Sequence, residues 1–257
     1  MSILEVRHLS KKFGGVEALA DVDLVVEPGE VIGVIGPNGA GKSTFFNLLS
    51  GVMKPSGGKV VFQGQDVTGL KPHRIAGKGL VRTFQGTTLF SDLSVFDNVL
   101  VACHIPAHPN LVADILGLPA VRRREKEMRE RADEIVQLAG LNEVRGKLAK
   151  DLPHGHQRAL GVAAALATGP QLLCLDEPVT GMNAEEIEAM MGFIERIRQQ
   201  GITILLVEHA MRVVMSVCER IMVLNFGRKI AEGGVDEIQN DPDVIEAYLG
   251  RSDDDAA

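Results

Sequence analysis

Val31 to Ile35 reads V-I-G-V-I, an apolar run too continuous for a strand with one wet face, and it predicts a central parallel strand covered on both sides. Leu172–Leu175 and Ile202–Val207 have the same character, and Leu80–Phe84 predicts a short strand ending at Gln85. Ser43–Leu49 opens a helix after the first run. Glu185–Gln200 carries Ile187, Met190, Met191, Ile194 and Ile197 at helical spacing. Nearer the start, Ile3–Leu9 alternates in part and Asp21–Glu27 puts Val22, Leu24 and Val26 on one face. These read as antiparallel strands with Pro28-Gly29 as the turn, and Lys59–Phe62 adds another after the loop Lys54–Gly58. Asn225-Phe226-Gly227, between Ile221–Leu224 and Arg228–Ala231, is a hairpin signal.

Beyond Gln85 the pattern changes. Leu89, Phe90, Leu93, Val95 and Phe96 lie among polar residues without strand periodicity, as at the start of an inserted helical unit spanning about 86–165. Within it Val121–Ala139 is a charged helix, with Glu125/Arg129 and Glu127/Arg131 at i,i+4 and Gly140 as its stop. Leu152–Arg158, L-P-H-G-H-Q-R, precedes a small-residue helix over Ala159–Ala167. The expected architecture is α/β: residues 1–250 form one domain with a parallel or mixed sheet core, an antiparallel β layer and the helical insertion. Residues 251–257 form an acidic tail expected to be disordered.

The chemistry concentrates where these runs end. Gly36-Pro37-Asn38-Gly39-Ala40-Gly41-Lys42-Ser43-Thr44 fits G-x-x-x-x-G-K-[ST] between a strand and a helix, the context a phosphate loop requires. Gly36, Gly39 and Gly41 let the backbone turn tightly and aim N–H groups at phosphate oxygens, backed by the helix dipole. Lys42 adds a point charge at the β- and γ-phosphates, Ser43 a hydroxyl that can ligate magnesium, and Thr44 a bond to a phosphate oxygen. The pattern implies a nucleoside triphosphate. The run Leu172–Leu175 ends in Asp176-Glu177, placing two carboxylates where open α/β sheets bind ligands. Asp176 suits magnesium, and Glu177 can take a proton from an attacking water or orient it. His209, at the end of another strand, is a candidate to donate a hydrogen bond to a γ-phosphate, the alternative being a structural role. Phe13, in K-K-F-G-G, offers a ring that can stack on a purine or pack on its own sheet.

Composition narrows the setting. With 257 residues and a net charge of −7, the chain is large enough for a substantial core and is not built chiefly to bind nucleic acid. No run of 18 apolar residues occurs and no apolar signal core opens the chain, so it is expected neither to span a membrane nor to be exported. Cys103, Cys174 and Cys218, three and far apart, read as small fillers in a reducing compartment. No N-K-x-D motif supports a GTP-binding switch.

Taken together, these residues resemble the ATP-binding subunit of an ABC transporter over nearly the whole chain. Gly36–Thr44 matches Walker A, Gln85 the Q-loop glutamine, Leu152–Gln157 the signature, Leu172–Glu177 Walker B and His209 the switch histidine. V-R-T-F-Q followed by L-F, D-E-P-V-T-G-M-N, L-V-E-H-A-M and the final A-Y-L-G resemble the ATPases of branched-chain amino acid importers, the LivG-like group. Lipopolysaccharide-export and urea-import ATPases share several of these phrases, and a soluble assembly or regulatory ATPase of the same superfamily is the alternative.

The resemblance implies ATP and Mg2+ as cofactors, with Gly36, Asn38, Gly39, Ala40, Gly41, Lys42, Ser43, Thr44, Phe13 and Gly155 binding nucleotide. It implies Ser43, Gln85 and Asp176 at the metal, and Glu177, His209 and Gln85 in hydrolysis. Two subunits, identical or paralogous, would close around two ATP molecules on transmembrane permease subunits at the cytoplasmic face of the inner membrane, with an extracytoplasmic solute-binding protein delivering solute. The signature departs from L-S-G-G-Q: Pro153 replaces serine, His154 the first glycine and His156 the glutamine, with Gly155 in register. Pro153 brings neither a hydroxyl nor an N–H, leaving the N-terminus of the following helix as compensation. Asn183 replaces the aspartate usual after Walker B.

Overall fold

The computed structural model describes residues 1–83, 89–104 and 119–249. Among these residues ten strands form two sheets. β1 (Leu4–Phe13), β2 (Val16–Val26), β4 (Gly57–Phe62) and β5 (Gln65–Asp66) make an antiparallel sheet in the order β2-β1-β4-β5. The second sheet comprises β3 (Val31–Ile35), β6 (Leu80–Arg82), β7 (Leu172–Asp176), β8 (Thr203–Val207), β9 (Arg220–Asn225) and β10 (Arg228–Gly233). Its order is β10-β9-β3-β8-β7-β6, parallel from β9 to β6, with β10 antiparallel at the edge.

The continuous apolar runs are explained by two cores, one on each face of the second sheet. Because side chains alternate along a strand, Val31 and Ile35 of β3 enter one core while Ile32 and Val34 enter the other. The same division holds for Leu173 and Leu175 against Leu172 and Cys174, and for Ile204 and Leu206 against Leu205 and Val207. One core lies between this sheet, the antiparallel sheet and α1 (Lys42–Leu49), which buries Phe45, Phe46, Leu48 and Leu49. The other is shared with α3 (Val95–His104), α4 (Pro119–Leu138), α5 (His154–Ala167), α6 (Ala184–Gln199) and α7 (Met211–Val217). α2 (Pro72–Ala76) precedes β6, and α8 (Val235–Asn240) and α9 (Pro242–Leu249) follow β10. The three cysteines are buried thiols, and burial pushes Cys174 and Cys218 up to about 12.

Several boundaries differ from the sequence reading. The first hairpin turns at Gly14-Gly15, with Phe13 paired across it to Val16, whereas Pro28-Gly29 carries the chain from one sheet into the other. β1 and β2 outrun their visible alternation because irregularities in their register break it, with His8 at φ 51° and Asp21 at φ 56°. α5 begins at His154, five residues before Ala159: Pro153, at φ −54° and ψ 154°, is its cap, and the polar residues that look like loop form its first turn. β6 ends at Arg82; Phe84 and Gln85 lie outside the described residues.

Charged α4 is laced by Arg129–Glu125, Arg123–Glu127 and Lys126–Glu130 pairs at i,i+4, each on an exposed face. Such pairs contribute about 0.3–0.5 kcal/mol each.

Candidate nucleotide site

Parallel register brings the ends of three strands to one edge. Val34 pairs with Val207 and Val207 with Asp176, so the Gly36 loop, Glu177 and Glu208-His209 all leave the sheet at one level. Gly36 has φ 149°, and a Cβ there would lie 2.0 Å from the Leu224 carbonyl oxygen; only glycine fits. Behind the loop, the Gly227 N–H donates to Ala40 O at 3.0 Å while its carbonyl accepts from Ala20 N–H at 2.8 Å, stitching the phosphate loop to both sheets. The N-terminus of α1, capped by Gly41, opens directly from this loop. Lys42 is 6% exposed, and its Nζ donates to Gly36 O at 2.6 Å and Pro37 O at 2.9 Å. Burial lowers its pKa and the Glu177 carboxylate opposes that shift. Asn38, Gly39 and Ser43 are exposed around it.

Asp176 is buried at the end of β7, where its Oδ2 accepts from Arg82 Nη2 at 2.7 Å and its N–H donates to the Thr83 hydroxyl at 3.2 Å. Glu177 follows with φ 49°, a left-handed conformation that costs a non-glycine residue about 1–3 kcal/mol and that functional sites tend to retain. Its N–H donates to Val207 O at 2.9 Å, and its Oε1 is in close contact with His209 Nε2. The structure therefore pairs Glu177 with His209.

Glu208, which the sequence reading left without a role, holds this pair. It is 2% exposed and accepts backbone N–H bonds from Val179 at 3.0 Å, His209 at 3.1 Å and Ala210. Burial raises its pKa against those three bonds. Glu208→Gln turns one acceptor into an N–H donor facing backbone donors. We expect about 1–3 kcal/mol less unfolding free energy, measured by urea denaturation; unchanged stability would show the three bonds to be dispensable.

Of the signature residues, Gly155 sits in the first turn of α5, where a Cβ would come within 2.4 Å of Glu186 Oε1. Asn183 caps α6: its side chain accepts from Glu186 N–H at 3.0 Å and Glu186 Oε2 accepts from Asn183 N–H at 3.0 Å. Asparagine at this position thus does a local job that needs no charge. Phe13 is 45% exposed beneath the Lys11 ammonium, 5.0 Å from its ring centroid, so it is not packed into its sheet. Gln85 lies outside the described residues.

Arg82 is a second residue that sequence reasoning missed. A charged residue inside the run L-V-R-T-F was the available signal, because an arginine in so apolar a strand needs a buried partner. The oxygen donors Ser43 and Asp176 suit magnesium, a hard cation. Asp176 keeps Oδ1 without a hydrogen bond among the described residues, so the set fits such an ion.

A parallel sheet with a phosphate loop at one strand end, two carboxylates at another and a histidine at a third defines the class: an ABC-type P-loop ATPase. The family model for ABC transporters matches residues 19–180, and one described as the branched-chain amino acid ATP-binding cassette transporter matches residues 228–254. The chain belongs to the ATP-binding subunits of ABC transporters, in the branched-chain amino acid group. The high-affinity branched-chain amino acid transport ATP-binding protein BraF of Pseudomonas aeruginosa is 42% identical over 97% of this chain and 98% of its own length. LivG of Escherichia coli, described in the same words, is 41% identical over the same shares. The solved ADP conformation of MJ1267, an ATP-binding cassette of an ABC transporter, has a TM-score of 0.84 at 30% identity, covering 98% of this chain and 100% of that one. As an ATP-binding subunit of this family, the protein is an ATPase coupled to transport and peripheral to the membrane. No helix among the described residues is long and apolar enough to cross a membrane.

Proposed function

We propose that this chain hydrolyses ATP to power uptake of branched-chain amino acids by an importer. Two such subunits, identical or paralogous, close over ATP on the permease at the cytoplasmic face of the membrane, and an extracytoplasmic binding protein supplies the solute. The observation that carries this reading is the match at residues 228–254, outside the span 19–180 matched by the general ABC transporter model. Residues 1–250 act as one domain with a helical insertion at about 86–165. Lys42, Thr44 and the N–H groups of Gly36–Gly41 hold the phosphates, and Phe13 stacks on the base. Ser43, Asp176 and Gln85 hold magnesium, which supplies charge neutralisation at the phosphates. Glu177 takes the proton of the attacking water, His209 orients Glu177 and reaches the γ-phosphate, and Gly155 presents the α5 N-terminus across the dimer.

The 89–94 segment supports a permease contact. Buried Asn98 accepts from Phe90 N–H at 2.9 Å and donates to Phe90 O at 3.1 Å, fixing a backbone whose side chain stays 58% exposed. A rigid loop offering an apolar ring is suited to docking. The test is ATP-dependent leucine uptake by vesicles containing the permease, the binding protein and this chain. Uptake is expected with wild type and is lost with Phe90→Asp, whose melting temperature stays unchanged while co-purification with the permease fails. Hydrolysis without transport of any solute supports a soluble regulatory ATPase. Transport of lipid or urea without leucine overturns the substrate.

A further inference from the structure

Arg82 carries one of the most deeply buried charged side chains among the described residues. Its side chain is 6% exposed and that of its partner Asp176 is 9% exposed. Nη2 donates to Asp176 Oδ2 at 2.7 Å, while Nη1 donates to Asn47 Oδ1 at 2.7 Å and Ser50 Oγ at 3.2 Å. Cζ lies 5.5 Å from the centroid of the Phe46 ring. The Ser50 hydroxyl gives its own proton to Phe46 O at 2.7 Å, which turns its lone pairs to the guanidinium.

The partners on α1 follow a period. Asn47 and Ser50 come four and seven residues after Ser43, so at 3.6 residues per turn all three share one face of the helix. One end of that face carries the hydroxyl at the head of the phosphate loop, and the other is gripped by Arg82. The far side of the same guanidinium holds Asp176. A planar fork with fixed N–H directions transmits position between the groups it joins, which a flexible ammonium does not.

We infer that Arg82 is a positioning residue: through Asn47 and Ser50 on one side and Asp176 on the other, it sets the separation of Ser43 and Asp176, and with it the affinity of the site for a divalent cation. The inference rests on the reading of Ser43 and Asp176 as the cation's ligands. Arg82 occupies Oδ2 of Asp176, while Oδ1 makes no hydrogen bond among the described residues. A purely structural ion pair makes a different prediction, since its loss lowers stability without changing the cation affinity of the protein that remains folded.

The experiment measures Mn2+ binding by electron paramagnetic resonance on the full chain with a non-hydrolysable ATP analogue, and analogue binding separately without divalent cation. Arg82→Lys retains a charge that reaches Asp176 but loses the fork. It should weaken Mn2+ binding on the order of tenfold, as loss of a residue supporting a metal ligand does, with cation-free analogue binding unchanged. Asn47→Ala combined with Ser50→Ala leaves the Arg82–Asp176 pair in place and releases only the helix. It should weaken Mn2+ in the same direction, and it decides the matter if Arg82→Lys fails to fold. Unchanged Mn2+ affinity in the Asn47→Ala, Ser50→Ala protein, or in folded Arg82→Lys, overturns the inference. Ser43→Ala and Asp176→Asn separate the two levels: if neither changes Mn2+ affinity, the ligand assignment falls and takes the inference with it. If both change it and the Arg82 set does not, only the inference falls.

Discussion

Lys42→Ala should lose tight Mg-ATP binding, and with it the rise in melting temperature that ATP gives the wild type. The ammonium is held under the loop by Gly36 and Pro37 carbonyls at 2.6 and 2.9 Å, where burial disfavours its charge and the Glu177 carboxylate offsets part of that cost. A phosphate oxygen is a stronger acceptor for a cation than a neutral carbonyl, so the bound triphosphate draws the ammonium onto itself. Alanine removes that partner while the loop's N–H groups remain. At a hundred times the dissociation constant, ATP should stabilise the wild type by about 2.7 kcal/mol, or roughly 5–10 °C for a domain of this size. The variant should melt at nearly the same temperature with and without nucleotide. Because Lys42 also ties the loop's own carbonyls, the variant's baseline melting point should fall, so titration calorimetry is the second readout. Wild-type affinity in the variant would remove Lys42 from the site.

What could be read in advance was whatever repeats along the chain. The doubly buried strands showed themselves because both parities are apolar, and the phosphate loop because its glycines are required by geometry, as at Gly36 against the Leu224 carbonyl. Contacts between distant segments leave no such trace. Arg82 and Asp176 are 94 residues apart, and Glu208 reaches Val179 across 29, so neither link follows from a local pattern. The start of α5 was hidden for a different reason. His154, Gly155 and His156 have poor helix credentials, and tertiary packing, with Gly155 against Glu186 and His154 against Gly181, holds the turn they form. Asn183 looked like a lost charge in sequence and is a capping residue in structure.

Glu177→Gln should separate binding from hydrolysis. Glutamine preserves the size of the side chain and can keep a hydrogen bond to His209, so the geometry beside β7 should survive. Asp176 stays gripped by Arg82, so the proposed magnesium ligands should be untouched. What disappears is the anionic oxygen able to accept a proton from water, and loss of a general base costs about 10²- to 10⁴-fold in turnover. With ATP bound and uncleaved, the γ-phosphate should keep both faces of the proposed two-subunit sandwich together. This variant should therefore elute as an ATP-dependent dimer on size exclusion, while Lys42→Ala remains monomeric. The dimer tests the altered signature as well, because Pro153 supplies no hydroxyl and on the proposed reading the contact across the interface would fall to the first turn of α5. Hydrolysis with the permease present isolates the chemistry from that contact. Turnover near wild type by Glu177→Gln would mean that another group takes the proton, and the strained backbone at φ 49° would then need a different explanation.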